Sequence, residues 1–133
     1  MQERAATSVP YDAEVGRVFE AAASYLSLLS EPTRLRILHA ICHEERSVND
    51  IVALTGATQT NVSRHLALMY RSQVLSRRRD GNSVFYSIAD QTLVRICRSV
   101  CNHVAAELDD RPSALAAAGL FAPPGARQAG RRG

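Results

Sequence analysis

The 133-residue sequence predicts a mainly α domain that carries one small β-hairpin wing. Apolar residues recur at helical spacing in four successive segments and again in a fifth at the end of the domain. Between the fourth and the fifth the period shifts to a strand-like one on either side of Asp80-Gly81-Asn82, a strong hairpin signal. An apolar content of 46% is too high for a disordered chain and suits one domain with a modest core.

Residues 1–12 contain Pro10 among mixed polar residues and read as a flexible N-terminal arm. A first helix from Ala13 to Leu29 carries Val15, Val18, Phe19, Ala22, Tyr25, Leu26 and Leu29 on one wide stripe. Ser30 is placed to cap a second helix, with Pro32 in the first turn, where a missing N–H costs nothing. Its core positions are Leu35, Ile37, Leu38 and Ile41, and it ends near 42–44. Ser47 followed by Asp50 resembles a capping box and opens a short third helix, with Val48, Ile51, Val52 and Leu54 facing inward.

Gly56 breaks that helix, and Thr58 can cap a fourth running from Gln59 to about Ser72. Its apolar positions are Val62, Leu66 and Met69, which leaves Gln59, Thr60, Ser63 and Arg64 on a polar face. Strands over 74–79 and 83–88 follow. Asp90 caps a last helix with the stripe Leu93, Cys97, Val100, Cys101, Val104 and Leu108. After Asp110 the composition turns to Ala, Gly, Pro and Arg, so 13–110 is the expected domain and 111–133 an expected disordered tail.

A short helix, a tight turn with Gly, a helix with small polar residues at its start and then a basic hairpin describe a winged helix-turn-helix. The major groove admits one helix, and short hydrogen-bonding side chains let its backbone approach base edges. Gln59 suits a bidentate pair with adenine, and Arg64 one with guanine or with a phosphate. Every one of the 16 basic residues is Arg; five of them, Arg64, Arg71, Arg77, Arg78 and Arg79, fall between Gln59 and Asn82 against Asp80 alone. The candidate DNA-contacting set is therefore Gln59, Thr60, Asn61, Ser63, Arg64 and His65 on the fourth helix, with Arg77, Arg78, Arg79 and Asn82 on the wing. Arg78 and Arg79 point to opposite faces of a strand, so only one of them is expected to reach DNA.

The runs Leu29-Ser30-Glu31-Pro32-Thr33-Arg34-Leu35-Arg36-Ile37-Leu38 and Asn61-Val62-Ser63-Arg64-His65-Leu66, with the wing ending Val84-Phe85-Tyr86-Ser87-Ile88, resemble the ArsR/SmtB family over about residues 20–108. The resemblance implies a homodimeric repressor paired through its first and last helices, bound to double-stranded operator DNA and released by metals, metalloids or reactive sulfur and oxygen species. A twofold dimer in turn implies a pseudo-palindromic operator. Gln73 stands where the family has Gly as the recognition helix ends, which predicts mild strain or a changed cap.

Cys97 and Cys101 lie four residues apart on the last helix and share a face. With Cys42 they are the candidate effector-sensing residues, for a thiophilic metal or metalloid or for oxidation or persulfidation. The competing reading is core packing, because free Cys is among the most buried residues. The familiar metal positions are incomplete. The family's Cys-x-Cys is replaced by Arg46-Ser47-Val48-Asn49-Asp50, and of its last-helix zinc set only Asp90 and His103 match, with Thr92 and Ala106 at the other two positions. His103 with Cys97 and Cys101 is thus a weak metal candidate, and no cofactor is certain. The family's sulfur-responsive pairing is displaced, since His39 holds the second-helix position and Cys42 lies a turn later. His39, Cys42 and His43 do share one helix face.

No run of about eighteen apolar residues occurs and the first residues lack a signal-peptide pattern, so a cytoplasmic protein without membrane contact is expected. No Cys–His–acid arrangement, phosphate loop or carboxylate pair can be assembled, which argues against an enzyme. The remaining alternative is a winged-helix interaction or DNA-binding module that takes no effector.

Overall fold

The computed structural model describes residues 11–108. The bulk of the expected arm and the whole of the tail at 111–133 lie outside them. The chain divides into two compact units, one ending at Ser30 and one beginning at Glu31.

The first unit is built on α1 (Ala13–Ser27). Asp12 caps it, its Oδ1 accepting from the Val15 N–H at 2.8 Å. The helix closes two residues before the expected end, with Leu28 at its C-cap. The Ser27 and Ser30 hydroxyls donate to the carbonyls of Ser24 and Ser27. Ser30 therefore finishes this helix instead of starting the next. Tyr11 meets Phe19 edge-on with ring centroids 5.1 Å apart. Val18, Phe19 and Leu26 are 63%, 52% and 50% exposed, an apolar face far more open than a monomer's helix normally keeps.

The second unit begins with α2 (Pro32–Ile41), whose N-cap is Glu31: its carboxylate accepts from the Thr33 N–H at 3.1 Å. A two-residue β1 (Arg46–Ser47) leads into α3 (Val48–Thr55). Gly56 ends α3 in the left-handed conformation at φ 73°, and Thr58 then caps α4 (Gln59–Arg71) through the Asn61 N–H. The wing is β2 (Leu75–Asp80) and β3 (Ser83–Ile88), and α5 (Gln91–Leu108) closes the unit, with Asp90 accepting from the Thr92 N–H.

Asp80 pairs with Ser83, so the hairpin loop has two residues, Gly81 and Asn82. Positive φ falls on Gly81 at 63° and not on Asn82, the pattern of a type II′ turn. β1 extends the hairpin to a three-stranded antiparallel sheet of order β1-β3-β2, with Arg46 opposite Tyr86. Two residues carry no readable period, and sequence reasoning did not anticipate that strand.

The core joins Ile37, Leu38 and Ile41 of α2 with Ile51, Val62, Leu66, Met69, Val74, Leu75, Tyr86, Leu93, Val94 and Cys97. Each fully buried Leu or Ile here stabilises the fold by about 1.5–3 kcal/mol. Four expected core positions on α2 and α3 differ, Val48 and Val52 being half-buried. Leu35 on α2 is half-buried too, and Leu54 is 57% exposed because α3 turns only Ile51 fully inward. On α5 only Leu93, Val94 and Cys97 are buried; Val100, Val104 and Leu108 are 53%, 43% and 82% exposed. Among the described residues no helix is long and apolar enough to cross a membrane.

Candidate DNA-binding interface and cysteine cluster

The polar face of α4 follows from its spacing. Val62, His65, Leu66 and Met69 turn inward, which leaves Gln59, Thr60, Ser63 and Arg64 exposed and Asn61 half-buried. Arg64 donates from its guanidinium to the Asn61 side-chain oxygen, one turn away, so the two act as a pair.

His65 departs from expectation. Expected among the DNA-contacting residues, it is instead 4% exposed and faces α2. Its Nε2 lies 3.0 Å from Glu31 Oε2 and its Nδ1 is 3.2 Å from an Arg34 guanidinium nitrogen. A ring at positions 62, 65, 66, 69 belongs to the buried stripe, and that spacing was the signal available. Burial pushes the His65 ring below its ordinary value; Glu31 opposes this, while Arg34 and Arg64 add to it. The Thr33 backbone N–H holds the Glu31 carboxyl below the usual carboxylate range, against a smaller effect of burial and with help from His65 and Arg34.

The wing sorts its three arginines by face. Arg77 and Arg79 stand opposite Tyr86 and Val84, and Arg78 opposite Phe85. The Arg78 guanidinium donates to Glu45 from Nε at 2.9 and 3.1 Å and from Nη2, and stacks 4.5 Å from the Phe85 centroid. That hydrogen bond holds the Glu45 carboxyl low and the Arg78 guanidinium high. Arg77 stacks 4.1 Å from the Tyr70 centroid, and a hydrogen bond with Tyr86 raises its already high value. Arg79 makes no ion pair among the described residues. A cleft between α4 and the wing is lined by Ser63, Tyr70, Tyr86 and all three wing arginines, Arg78 bordering it while bound to Glu45. A second cleft, toward the hairpin tip, brings together Gln59, Ser63, Asn82 and Ser83. Recognition-helix and wing candidates thus converge on one side, with Arg78 tied to Glu45 and His65 withdrawn into the interior.

Residues 31–76 match the family described as bacterial regulatory protein, arsR family. The transcriptional repressor SmtB homolog of Synechocystis is 32% identical over 82 residues, covering 62% of each chain. The probable mercury resistance operon repressor of Streptomyces lividans is 34% identical over 93 residues, which span 68% of this chain and 74% of that one. The chain belongs to the ArsR family. The crystal structure of NolR from Sinorhizobium fredii superposes with a TM-score of 0.65 at 28% identity, covering 75% of this chain and 95% of that one. This ArsR-family chain is accordingly a winged helix-turn-helix transcriptional regulator that binds DNA, and it is not an enzyme.

Gln73 occupies the strained position expected at the end of α4. Its φ is 67°, and it is the C′ residue of a Schellman motif. The Gln73 N–H bonds the Tyr70 carbonyl at 3.0 Å and the Val74 N–H bonds the Met69 carbonyl at 3.2 Å. The cap of the ArsR-family helix is therefore intact, with Gln bearing the left-handed conformation.

The three free cysteines of this ArsR-family chain gather between the end of α2 and α5. Cys97 is 1% exposed, Cys42 and Cys101 are half-buried, and the Cys42 thiol donates to the His39 carbonyl. Burial pushes the Cys97 thiol up to about 12, and Cys101 and Cys42 lie near enough for their thiolates to add to the rise. Burial raises Cys101 as well. No group of three or more His, Cys, Asp or Glu side chains among the described residues is arranged to hold a metal. His103 is exposed and Asp90 half-buried near the opposite end of α5.

Proposed function

We propose that the chain is a cytoplasmic repressor that binds a pseudo-palindromic operator as a homodimer. In this reading α4 enters the major groove with Gln59, Thr60, Ser63 and Arg64 toward base edges, and Asn61 holds Arg64 in place. Arg77, Arg79 and Asn82 lie along flanking phosphates. The observation that carries it is the cleft in which Ser63 of the recognition helix and Arg77 and Arg79 of the wing face the same space. The domain responsible is 13–110. The open apolar faces of α1 and α5 support pairing of each with a second copy, since Phe19, Leu26, Val100 and Val104 would otherwise stay in water.

The proposal extends to an effector that loosens operator binding through Cys97 and Cys101, with Cys42 as a third thiol. Thiols pushed upward by burial are protonated at neutral pH and are poor targets for oxidants or persulfides, which act on accessible thiolates. A soft ion displaces the protons itself. Two thiols at i,i+4 suit a two-coordinate thiophilic ion and do not supply the four ligands of a tetrahedral zinc site. The likeness to a mercury resistance repressor points the same way.

The test is fluorescence anisotropy with duplexes selected from a random library. Arg64→Ala should lower affinity and relax base preference, and a mercuric salt should release the wild type but not a Cys97→Ala/Cys101→Ala variant. Unchanged base preference in Arg64→Ala would overturn the reading of α4, and unchanged release in the cysteine variant would reduce the thiols to packing.

A further inference from the structure

Beneath the exposed face of α4 lies a polar cluster in which a buried His65 meets half-buried Glu31 and Arg34. His65 is the sole titratable side chain on the buried stripe of α4. Its two ring nitrogens face different partners on α2: Nδ1 meets the Arg34 guanidinium at 3.2 Å and Nε2 meets Glu31 at 3.0 Å. A guanidinium can only donate, so Nδ1 must accept, which assigns the proton to Nε2, the nitrogen that faces Glu31. Both partners sit at the first turn of α2, and Glu31 also caps that helix through the Thr33 N–H. One neutral imidazole thus links the start of α2 to the middle of the helix that carries Ser63 and Arg64.

We propose that Glu31, Arg34 and His65 form a proton-sensitive clamp that positions α4 for operator binding, with protonation of His65 releasing the helix from its DNA-reading pose. A second proton can enter only at Nδ1, where it sets N–H against the N–H groups of Arg34 and places two positive charges side by side. The Arg34 contact then opens, while the contact with Glu31 tightens, so the ring is drawn toward one partner and away from the other. The charged groups acting on the ring are Glu31 and Arg34 from α2 and Arg64 from α4 itself; α3 and β2 add none among the described residues. Because burial already disfavours the imidazolium, the clamp is closed at neutral pH and opens on acidification below 6.5. His65 is a positioning residue, acting on DNA through the pose of its helix.

The inference rests on α4 being the element that reads DNA. The experiment measures affinity from pH 7.5 to 5.5 at fixed ionic strength, using a duplex that the wild-type chain selects from a random library at pH 7.5. Wild type should lose affinity below pH 6.5, at up to about ten-fold per pH unit for each proton taken up. His65→Gln, whose amide can accept from Arg34 and donate to Glu31 without titrating, should keep the pH 7.5 affinity and show a flat profile. Glu31→Gln retains an acceptor for Thr33 but removes the charge that favours the imidazolium, so the fall should move to lower pH. The other histidines are common to all three proteins and cancel in the comparison. A His65→Gln profile identical to wild type, or a Glu31→Gln midpoint that does not move, overturns the clamp. A wild-type chain that selects no duplex at pH 7.5 overturns the DNA-reading role of α4, and the clamp with it.

Discussion

The wing arginines offer a quantitative test, because the structure gives neighbours on one strand opposite fates. Both Arg78 and Arg79 border the cleft with Ser63, but Arg79 makes no ion pair among the described residues, whereas Arg78 is held by both oxygens of Glu45 and by the Phe85 ring. A cation that meets a phosphate releases counterions, and one already neutralised by a carboxylate does not. Arg79→Ala removes one phosphate contact per subunit, two per dimer, which should flatten the slope of log K against log salt by about 1.8. Between 50 and 200 mM salt, a fourfold change, the variant should therefore lose about twelve-fold less affinity than wild type. The charge-neutral double variant Glu45→Gln/Arg78→Gln should keep the wild-type slope. The assay is fluorescence anisotropy over at least four salt concentrations on one selected duplex. If the double variant flattens the slope as much as Arg79→Ala, then Arg78 leaves Glu45 to meet a phosphate, and the sorting of the wing by face is wrong.

Other expectations follow from the strained cap, the buried thiol and the titrating groups. Gln73→Gly relieves a left-handed cost of about 1–2 kcal/mol and forfeits about 0.4–1 kcal/mol through the freer unfolded chain. Thermal melts should show a gain of a few degrees, and a loss would mean that the Gln73 side chain supports the cap. With its thiol at about 12, native Cys97 should react with iodoacetamide at pH 8 at least about a hundredfold more slowly than in denatured protein, as followed by mass spectrometry. Equal rates would show that the cluster opens readily. The folded chain holds His65 below its unfolded value of 6.5, so the unfolded state binds more protons in that window. Stability is then complete above pH 6.5 and falls as pH drops through it. The lowered Glu31 and Glu45 lose their contribution only below 4.5. Melts of His65→Gln should lack the first decline and keep the second.

What was legible in the sequence was local. Asp90, Ser47 and Thr58 each cap within three residues, Gly56 and Gly81 supply positive φ where the chain turns, and the stripe 62, 66, 69 sets the polar face of α4. What was missed depends on partners far along the chain. His65 meets Arg34 across 31 residues and Arg78 meets Glu45 across 33. A polar residue on a buried stripe looks like a surface residue until its partners are known. Ser30 was displaced as a cap by Glu31, whose longer side chain reaches both the Thr33 N–H and the His65 ring. The cysteine stripe is legible as a shared face, but its exposure divides along α5: Cys97 is sealed in the core while Val100 and Val104, about one and two turns further on, remain open.

The central claim is that the exposed face of α4 reads base sequence. The most direct measurement is competition anisotropy at one fixed salt concentration, between the selected duplex and a scrambled duplex of equal composition, for wild type and for Gln59→Ala/Arg64→Ala. The account predicts that wild type prefers the selected duplex by about 10³-fold or more and that the double variant loses most of that preference while still binding both duplexes through the wing. Equal preference in the two proteins would contradict it, since the bases would then be read by some surface other than α4.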